Sequence, residues 1–179
     1  ISPDDVAIRA RMGFMPENPY FYDHLTGIEF LEFCNELSGG KAVSIRKDYE
    51  AALTKVGIGD AADQKIRTYS KGMRQRLGFA QAIIHDPDFI FLDEPLDGLD
   101  PLGRKEMKRM ILELKSRGKT IFFNSHILAD VEEICDDIGI IHRGKLLYAG
   151  GVAAFTKGKT LEDRFVETIE QYERVRSRS

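Results

Sequence analysis

Apolar residues recur along this chain with two different spacings. From residue 18 to about residue 68 they return every three or four positions, which is the period of an amphipathic helix. From residue 69 to about residue 150, similar helical stretches alternate with short apolar runs bounded by glycine, proline or polar residues. Such alternation is typical of an α/β domain in which helices flank a parallel sheet. We therefore predict an α/β fold with a parallel sheet and an all-helical subdomain.

Capping residues mark where several predicted helices begin and end. Thr26 and Glu29 form a capping box at the start of one helix, which Gly39-Gly40 ends. Ser44 is predicted to cap the next helix, and Gly57 is predicted to end it.

Helices and strands are predicted to alternate in the later part of the chain. Ser70 is a good N-cap for one helix, and Pro101 suits the first position of another, which Gly118 ends. The apolar stripes of these two helices are Met73, Leu77, Ala80, Gln81 and Ile84 in the first, and Met107, Met110, Ile111 and Leu114 in the second. The remaining predicted elements are strands near Thr120 and Asp137 and a hairpin turn at Arg143-Gly144-Lys145.

The apolar run of residues 89–92 leads directly into two adjacent acids, Asp93 and Glu94. A short run of this kind predicts a buried strand of a parallel sheet. Its carboxyl end lies at the edge where open α/β sheets bind ligands. There Asp93 suits a magnesium ion, and Glu94 suits a general base that acts on water. The alternative is an apolar strand that ends in an acidic surface turn.

The start of the helix at Ser70 is a second candidate site. Gly72 lies in the first turn, where the backbone amides and the helix dipole favour an anion such as a phosphate. Lys71 adds positive charge there. The alternative is an ordinary capped helix with a solvated basic face. Arg74 and Arg76 are predicted to form salt bridges rather than ligand contacts.

Taken in order, these segments and their neighbours resemble the nucleotide-binding domain of ATP-binding cassette (ABC) proteins. Residues 70–75 resemble the family's signature loop, usually Leu-Ser-Gly-Gly-Gln, and residues 89–94 resemble its Walker B strand. Residues 97–100 resemble the D-loop, and His126 resembles the switch histidine. Residues 11–17 resemble the strand and loop called the Q-loop. The resemblance implies a P-loop NTPase-like core that binds ATP and Mg²⁺ and hydrolyses ATP.

The resemblance also implies a role for each matching residue. Glu94 and His126 would be catalytic, with Glu94 polarising the attacking water and His126 positioned at the γ-phosphate. Asp93, together with Glu17 of the Q-loop, would hold the metal ion. The residues implied in ATP binding are Ser70, Lys71, Gly72, Met73, Glu17 and Asp100. Those of the signature loop would act on the ATP held by a partner subunit.

The chain departs from the family pattern at several positions. Tyr69, Lys71 and Met73 differ from the signature consensus, and Asp97 stands where serine is more usual. Glu17 stands where the family usually has glutamine. A glutamate still offers an oxygen to magnesium or water, but it adds a negative charge and lacks an amide donor.

The chain contains no Gly-x-x-x-x-Gly-Lys-Ser/Thr loop, which is the motif that cradles nucleotide phosphates. In ABC domains this loop precedes the Q-loop by several tens of residues, whereas only sixteen residues precede Glu17. We therefore expect a domain truncated before that loop, with its N-terminal strands missing, so that this chain alone is inactive. A degenerate pseudoenzyme is the weaker alternative, because the downstream motifs are intact.

We expect one partial nucleotide-binding domain with four parts. Residues 1–17 end the core and carry the Q-loop, and residues 18–68 form the helical subdomain. Residues 69–150 carry the signature, Walker B, D-loop and switch motifs, and residues 151–179 form a C-terminal helical tail. In the family, the helical subdomain is the part that meets membrane subunits.

The C-terminal tail indicates which subgroup of the family the chain resembles. A helix that begins near Thr160 places Phe165, Ile169 and Tyr172 on one side. Its Leu-Glu-Asp-x-Phe element resembles the ABC-2-type exporters, and the alternative is a generic C-terminal helix. The arginines near the end of the chain, which are typical of a solvated tail, are Arg174, Arg176 and Arg178.

Composition narrows the function classes. At 42% hydrophobic and 31% charged, the chain can build one substantial core. Its longest apolar runs are too short to span a membrane, and a net charge of −3 gives no electrostatic basis for binding nucleic acid. Cys34 and Cys135 are predicted to be buried free thiols of a reducing compartment.

The sequence allows two interpretations of an aromatic segment and predicts a structural role for three histidines. Tyr20, Phe21 and Tyr22 follow the Q-loop, where they are typical either of a protein interface or of packing under the next helix. The histidines predicted to be structural are His24, His85 and His142.

These features predict the ATPase subunit of a bacterial ABC exporter, cytoplasmic and peripheral on the inner face of the cell membrane. Its expected partners are a second nucleotide-binding domain, as a homodimer or heterodimer, and ABC-2-type transmembrane subunits, with no nucleic acid. One alternative is a non-transport ABC protein that acts on ribosomes or DNA. Another is a non-catalytic interaction module.

Overall fold

The computed structural model describes residues 6–38 and 45–177. A first compact unit ends at Asn124, and a second begins at Ser125. The sequence predictions that fall outside the described residues are those for Gly39-Gly40, Ser44 and Arg178.

Helices and strands alternate through both units. Those of the first unit are α1 (Val6–Arg9), β1 (Met12–Met15), α2 (Gly27–Leu37), α3 (Arg46–Lys55), short 3₁₀ helices at Gly59–Ala61 and Ile66–Thr68, α4 (Lys71–Ile83), β2 (Phe89–Asp93), α5 (Pro101–Ser116) and β3 (Thr120–Asn124). Those of the second unit are α6 (Leu128–Ile134), β4 (Asp137–His142), β5 (Lys145–Gly151), α7 (Val152–Thr156) and α8 (Leu161–Arg176). Within the described ranges, no helix is both long enough and apolar enough to cross a bilayer.

The strands of the first unit form a parallel sheet in the order β1-β2-β3. Phe91 pairs with Phe14 on one side and with Phe122 on the other, so the three strands end at the same edge. α4 packs so closely on β1 that a Cβ on Gly13 would lie 1.9 Å from the Ala82 carbonyl oxygen, and only glycine fits there. The predicted α/β fold with a parallel sheet is confirmed.

The prediction that the whole apolar run of β2 is buried is wrong for one face of the sheet. Ile90 and Leu92 are each 1% exposed, whereas Phe89 is 40% exposed. In the described part of the chain the helices cover only the face of Ile90 and Leu92, so β2 alternates as a half-buried strand does. The other face, which we call the aromatic sheet face, consists of Met12, Phe14, Phe89, Phe91 and Phe122.

α2 and α3 belong to the helical segment predicted between β1 and α4. The Thr26 Oγ1 accepts from the Glu29 amide at 3.2 Å, and the Glu29 Oε2 accepts from the Thr26 amide at 2.7 Å. These two bonds confirm the capping box. Gly57 follows the end of α3 with a φ of +80°, as predicted.

α5 begins and ends as predicted. Pro101 occupies its first turn, and the Asp100 Oδ1 caps it by accepting from the Gly103 amide at 2.8 Å. Gly118 follows its end with a φ of +79°. The predicted inward-facing residues are all buried, namely Met107, Met110, Ile111 and Leu114.

The second unit contains the predicted hairpin and terminal helix. β4 and β5 pair antiparallel around Arg143-Gly144, where both residues have positive φ. The Thr160 side chain caps α8, and Phe165 and Ile169 face inward. The buried residues against which they pack are Ile140, Phe155 and Leu161.

Neither Cys34 nor Cys135 forms a disulfide, as predicted, but each is half-buried rather than buried. Cys34 lies in the last turn of α2, and Cys135 directly follows α6. Burial raises the pKa of the Cys34 thiol to about 12.

We expect Cys34 to resist alkylation in the folded protein. The thiolate is the nucleophile, and a thiol with a pKa of about 12 is ionised only to roughly one part in ten thousand near pH 8. Iodoacetamide labelling read by mass spectrometry should modify Cys34 roughly a thousandfold faster in urea-unfolded chain than in folded chain. Equal rates in the two states would contradict the burial of this thiol.

Candidate functional site

Asp93 ends β2 at the carboxyl edge of the sheet and lies opposite Asn124, the last residue of β3. The Asn124 Nδ2 donates to the Asp93 Oδ1 at 2.7 Å. This bond orients the carboxylate and leaves acceptor capacity on it, because an ionised carboxylate has about four lone-pair sites. A single oriented carboxylate fits magnesium in a nucleotide site, since that ion takes one or two protein carboxylates together with phosphate and water oxygens.

Glu94 has a left-handed backbone, with φ at +48°. That conformation costs a residue other than glycine roughly 1–2 kcal/mol, and residues held in it cluster at functional sites. The Glu94 amide donates to the Asn124 carbonyl at 2.9 Å, and the Glu94 carbonyl accepts from the Asp97 amide at 3.1 Å. The Gln75 Nε2 donates to the same carbonyl at 2.8 Å. The backbone that carries the predicted general base is therefore held on both sides.

α4 begins at the predicted cap. The Ser70 Oγ accepts from the Met73 amide at 3.2 Å, and Ser70 itself is exposed. An anion that approaches this helix end would meet the amides of Lys71 and Gly72, which precede the capped amide. The first turn of α4 can therefore present a positive helix end to a ligand outside the unit.

The signature segment lies against the D-loop segment. The Lys71 Nζ is 2.6 Å from the Asp97 Oδ2, and Gly98, at a φ of +68°, leaves room for that lysine, because a Cβ there would lie 2.6 Å from the Lys71 Cε. The two side chains are 68% and 44% exposed, and exposed ion pairs contribute only about 0–1 kcal/mol. An incoming phosphate can therefore compete with Asp97 for Lys71.

Arg74 and Arg76 form the predicted salt bridges. Arg74 lies 2.9 Å from Asp23, and Arg76 lies 2.8 Å from Glu106. The Arg76 Nη1 also donates to the Val56 carbonyl at 2.6 Å. This guanidinium therefore ties α4 to α5 and to the end of α3, which makes its role structural.

Glu17 follows β1 by two residues and is exposed. β1 and β2 are parallel neighbours. Glu17, just beyond the end of β1, therefore lies toward the same edge of the sheet as Asp93, the last residue of β2. Within residues 6–38 and 45–177, no three His, Cys, Asp or Glu side chains converge on a metal position. One or two carboxylates at such an edge suit a magnesium ion that brings phosphate and water ligands. The metal and nucleotide contacts of Glu17, and the nucleotide contact of Asp100, stay predictions.

His126 belongs to the second unit, where it is exposed in the segment before α6. Next to it, the Ser125 Oγ accepts from the Ile127 amide at 3.1 Å. The role of His126 at a γ-phosphate stays a prediction. The predicted site residues that belong to the first unit are Glu17, Ser70, Lys71, Gly72, Met73, Asp93, Glu94 and Asp100.

Residues 153–160 read Ala-x-x-x-x-Gly-Lys-Thr, a phosphate-loop pattern with alanine in place of its first glycine. In the structure, residues 153–156 lie inside α7, whereas a phosphate loop joins a strand directly to a helix. Lys159 pairs with Glu167, and Thr160 caps α8. The match is therefore a coincidence of sequence.

Two polar residues of this region were not found by sequence patterns. Asn124 orients Asp93, and Gln75 bonds to the Glu94 backbone. Gln75 lies at the end of the segment that resembles the signature loop, but no sequence pattern connected it with Glu94. Asn124 had no local signal, because its contact depends on the pairing of β2 with β3.

His85 and His142 make contacts of a structural kind, as predicted, whereas His24 is exposed with its ring edge-on to Tyr22. The His85 Nε2 lies 3.0 Å from the Met12 carbonyl oxygen, and burial lowers the pKa of this histidine. The His142 Nε2 lies 2.7 Å from the Glu173 Oε1 within the second unit.

The packing alternative for the aromatic loop after the Q-loop holds for Phe21, whereas Tyr20 and Tyr22 are exposed. Phe21 is 6% exposed and packs edge-on against Phe30. Tyr20 is 85% exposed, and Tyr22 stands edge-on to Phe33 at 5.5 Å between ring centroids. One helical turn beyond Phe33, Leu37 is also exposed. We call the exposed residues of this surface the aromatic ladder; they are Tyr20, Tyr22, Phe33 and Leu37.

Comparison with known proteins gives consistent matches. The family model described as ABC transporter matches residues 3–97. An uncharacterized ABC transporter ATP-binding protein of Nostoc sp. is 52% identical over 150 residues, which are 83% of this chain and 45% of the relative. A bacitracin transport ATP-binding protein of Bacillus licheniformis is 44% identical over 78% of this chain and 45% of its own length. A fluoroquinolones export ATP-binding protein of Mycobacterium tuberculosis is 40% identical over 76% of this chain and 44% of its own length.

The chain therefore spans about half the length of the curated relatives it matches. A solved structure, described as that of an ATP-binding subunit of an ABC transporter, matches with a TM-score of 0.82 at 26% identity. That match covers 93% of this chain and 71% of the other. The fold class predicted from the sequence is confirmed by this likeness.

Proposed function

Since this chain belongs to the ABC transporter family, whose model matches residues 3–97, we propose that the whole protein is the ATP-hydrolysing subunit of a bacterial exporter. In this proposal it binds Mg-ATP, forms a dimer with a second nucleotide-binding domain and drives separate membrane subunits. The export direction is supported by two relatives, one named as a bacitracin transport protein and one as a fluoroquinolones export protein.

The observation that carries the proposal is the pair of acids at the carboxyl edge of the sheet. Asp93 is oriented by Asn124, and Glu94 is held in a left-handed backbone by bonds at both its amide and its carbonyl. An acidic surface turn without function needs no side chain that orients its carboxylate and no set of bonds that holds a strained backbone. Strain at an acid that follows a strand supports a chemical role for it.

In the proposed mechanism the Glu94 carboxylate accepts a proton from a water molecule. The water oxygen forms a bond to the γ-phosphorus, and the bond between that phosphorus and the β–γ bridging oxygen breaks. ADP and inorganic phosphate leave, and the proton returns from Glu94 to solvent. Asp93 and Glu17 would hold Mg²⁺, which neutralises negative charge on the phosphate oxygens.

The first turn of α4 is proposed to act on the ATP of the partner subunit. Ser70 is exposed, and the Lys71 and Gly72 amides lie at a helix end that favours anions. In a dimer this end would contact the γ-phosphate held by the other subunit. The bond between Lys71 and Asp97 would then be exchanged for one to phosphate, at little cost because both side chains are exposed.

The aromatic ladder is proposed to face the membrane subunits, which would place the protein on the cytoplasmic face of the membrane. Exposed aromatics on one surface are enriched at protein interfaces, and Tyr20 and Leu37 are 85% and 63% exposed. The exported molecule is proposed to be selected by the membrane subunits.

We expect the whole protein to release phosphate from Mg-ATP and to sediment with membranes after ribonuclease treatment. Leu37→Asp should release the protein from the membrane fraction, because the substitution places a charge in the aromatic ladder. Leu146→Asp is the matched control, since Leu146 is also 62% exposed but lies on β5 of the second unit. Sedimentation with ribosomes or DNA, and loss of it on nuclease treatment, would instead favour a non-transport ABC protein.

A further inference from the structure

Gln75 is a polar side chain at the start of the buried face of α4. It is 3% exposed, while Leu77 and Phe79 on the same helix are both fully buried. Its Nε2 donates to the Glu94 carbonyl at 2.8 Å. A position buried for packing alone is usually occupied by an apolar residue, so a glutamine here indicates that the bond to Glu94 is the reason for its burial.

The bond from Gln75 is to the backbone of Glu94, the proposed general base, which has a left-handed conformation. The Glu94 φ of +48° sets the direction in which its side chain leaves the backbone. The Asn124 carbonyl holds the Glu94 amide, while Gln75 and the Asp97 amide share the Glu94 carbonyl. Without Gln75, the Glu94 carbonyl loses its 2.8 Å bond and keeps the longer, 3.1 Å bond from the Asp97 amide.

Gln75 also connects two parts of the site that are distant in sequence. It lies five residues after the cap Ser70 on α4, which is about 7.5 Å along a rigid helix. Glu94 lies nineteen residues further along the chain, after β2. The position of Glu94 therefore depends on the position of α4, whose first turn follows Ser70.

We propose that Gln75 is a positioning residue, which holds the Glu94 backbone so that its carboxylate meets the attacking water. This inference rests on the proposed function, because it gives Glu94 the role of general base. Gln75 itself contacts neither ATP nor water in this mechanism, and it acts only through Glu94.

The first test replaces the donor by an apolar side chain of the same length. In the whole protein, Gln75→Met should lower kcat roughly 10- to 100-fold, because displacing a reacting group by about 1 Å has effects of this size. KM for Mg-ATP should stay unchanged, since Gln75 does not contact the nucleotide. An unchanged kcat would overturn the proposal.

The second test uses the pH profile of kcat, recorded at pH values where thermal unfolding shows that each variant is fully folded, so that a loss of stability does not enter the comparison. In Gln75→Glu, the introduced carboxyl can donate an O–H to the Glu94 carbonyl only when it is protonated, and burial favours that form. The kcat of this variant relative to the parent should therefore rise as the pH is lowered from about 8 to about 5.5. The same ratio for Gln75→Met should not depend on pH, and a flat ratio for both variants would overturn the proposal.

A double-mutant cycle separates positioning from folding. If Gln75 acts only through Glu94, Gln75→Met should have no further effect on kcat in a Glu94→Gln background. Phe79→Leu is the stability control, because Phe79 is equally buried on α4. If Phe79→Leu lowers kcat as much as Gln75→Met at the same loss of thermal stability, the effect is one of folding and the positioning role is wrong.

The same set of variants distinguishes this inference from the proposed function. Full turnover by Glu94→Gln would remove the general base and with it the proposed mechanism. Loss of turnover in Glu94→Gln with normal turnover in Gln75→Met would leave the function intact and overturn only the role of Gln75.

Discussion

Replacement of Glu94 by glutamine should leave ATP binding intact and lower turnover roughly 10²- to 10⁴-fold, which is the range for loss of a general base. Glutamine keeps the size of the side chain and its hydrogen-bonding capacity but cannot accept the proton. The three backbone bonds at Glu94 do not involve its side chain, so the left-handed backbone should persist. Phosphate release and nucleotide binding by the whole protein measure the two effects separately.

Two further observations sharpen this test. Because hydrolysis would normally end the dimeric state, the variant should accumulate as an ATP-bound dimer, visible by size-exclusion chromatography with Mg-ATP. Glu113→Gln is the matched control, because it makes the same substitution in an exposed ion pair with Lys55, and such a pair contributes little to stability. If Glu94→Gln hydrolyses ATP as fast as this control, Glu94 is not the base.

Ser70→Arg should abolish turnover without weakening the affinity of the monomer for ATP. A bulky side chain at the outward-facing start of α4 would keep the second subunit from closing over its γ-phosphate. The substitution also removes the bond to the Met73 amide, and a lost cap costs about 1 kcal/mol, which a folded domain should survive. Thr160→Arg removes a cap from α8 in the second unit and should leave turnover unchanged.

Mixed dimers test whether Ser70 acts across the dimer. Subunits with Ser70→Arg would be combined with subunits of the whole protein whose own phosphate-binding loop is inactivated. One composite site then carries both lesions and the other carries neither, so about the activity of one site should return. If mixed dimers form without activity, monomer affinity decides the cause: weaker binding in Ser70→Arg indicates a role on its own ATP, and normal binding indicates that both sites must be intact.

Elements set by local chemistry were predictable from the sequence. The capping box at Thr26 and the start of α5 at Pro101 depend on residues within one helical turn. The strand before Asp93 followed from its continuous apolar run. The order of these segments along the chain resembles that in ABC proteins, and this resemblance identified Ser70 and Glu94 as candidate site residues.

Contacts between distant segments were not predictable in the same way. Gln75 occupies a helical position that a pattern alone assigns to packing or to solvent, and its partner Glu94 is defined only once α4 lies against β2. The pairing of Lys71 with Asp97 likewise depends on the close approach of two loops at Gly98. The one-sided burial of β2 depends on which helices cover the sheet, and the sequence of an apolar run does not indicate this.

The left-handed backbone at Glu94 marks one position where engineering for heat resistance would conflict with the proposed chemistry. A consensus or design procedure that optimises folding would favour glycine there, because glycine adopts a positive φ without strain. The gain in melting temperature would come with loss of the carboxylate, so stability and chemistry compete for the same position. Stabilising substitutions are better sought at exposed helix positions remote from β2, where no such competition exists.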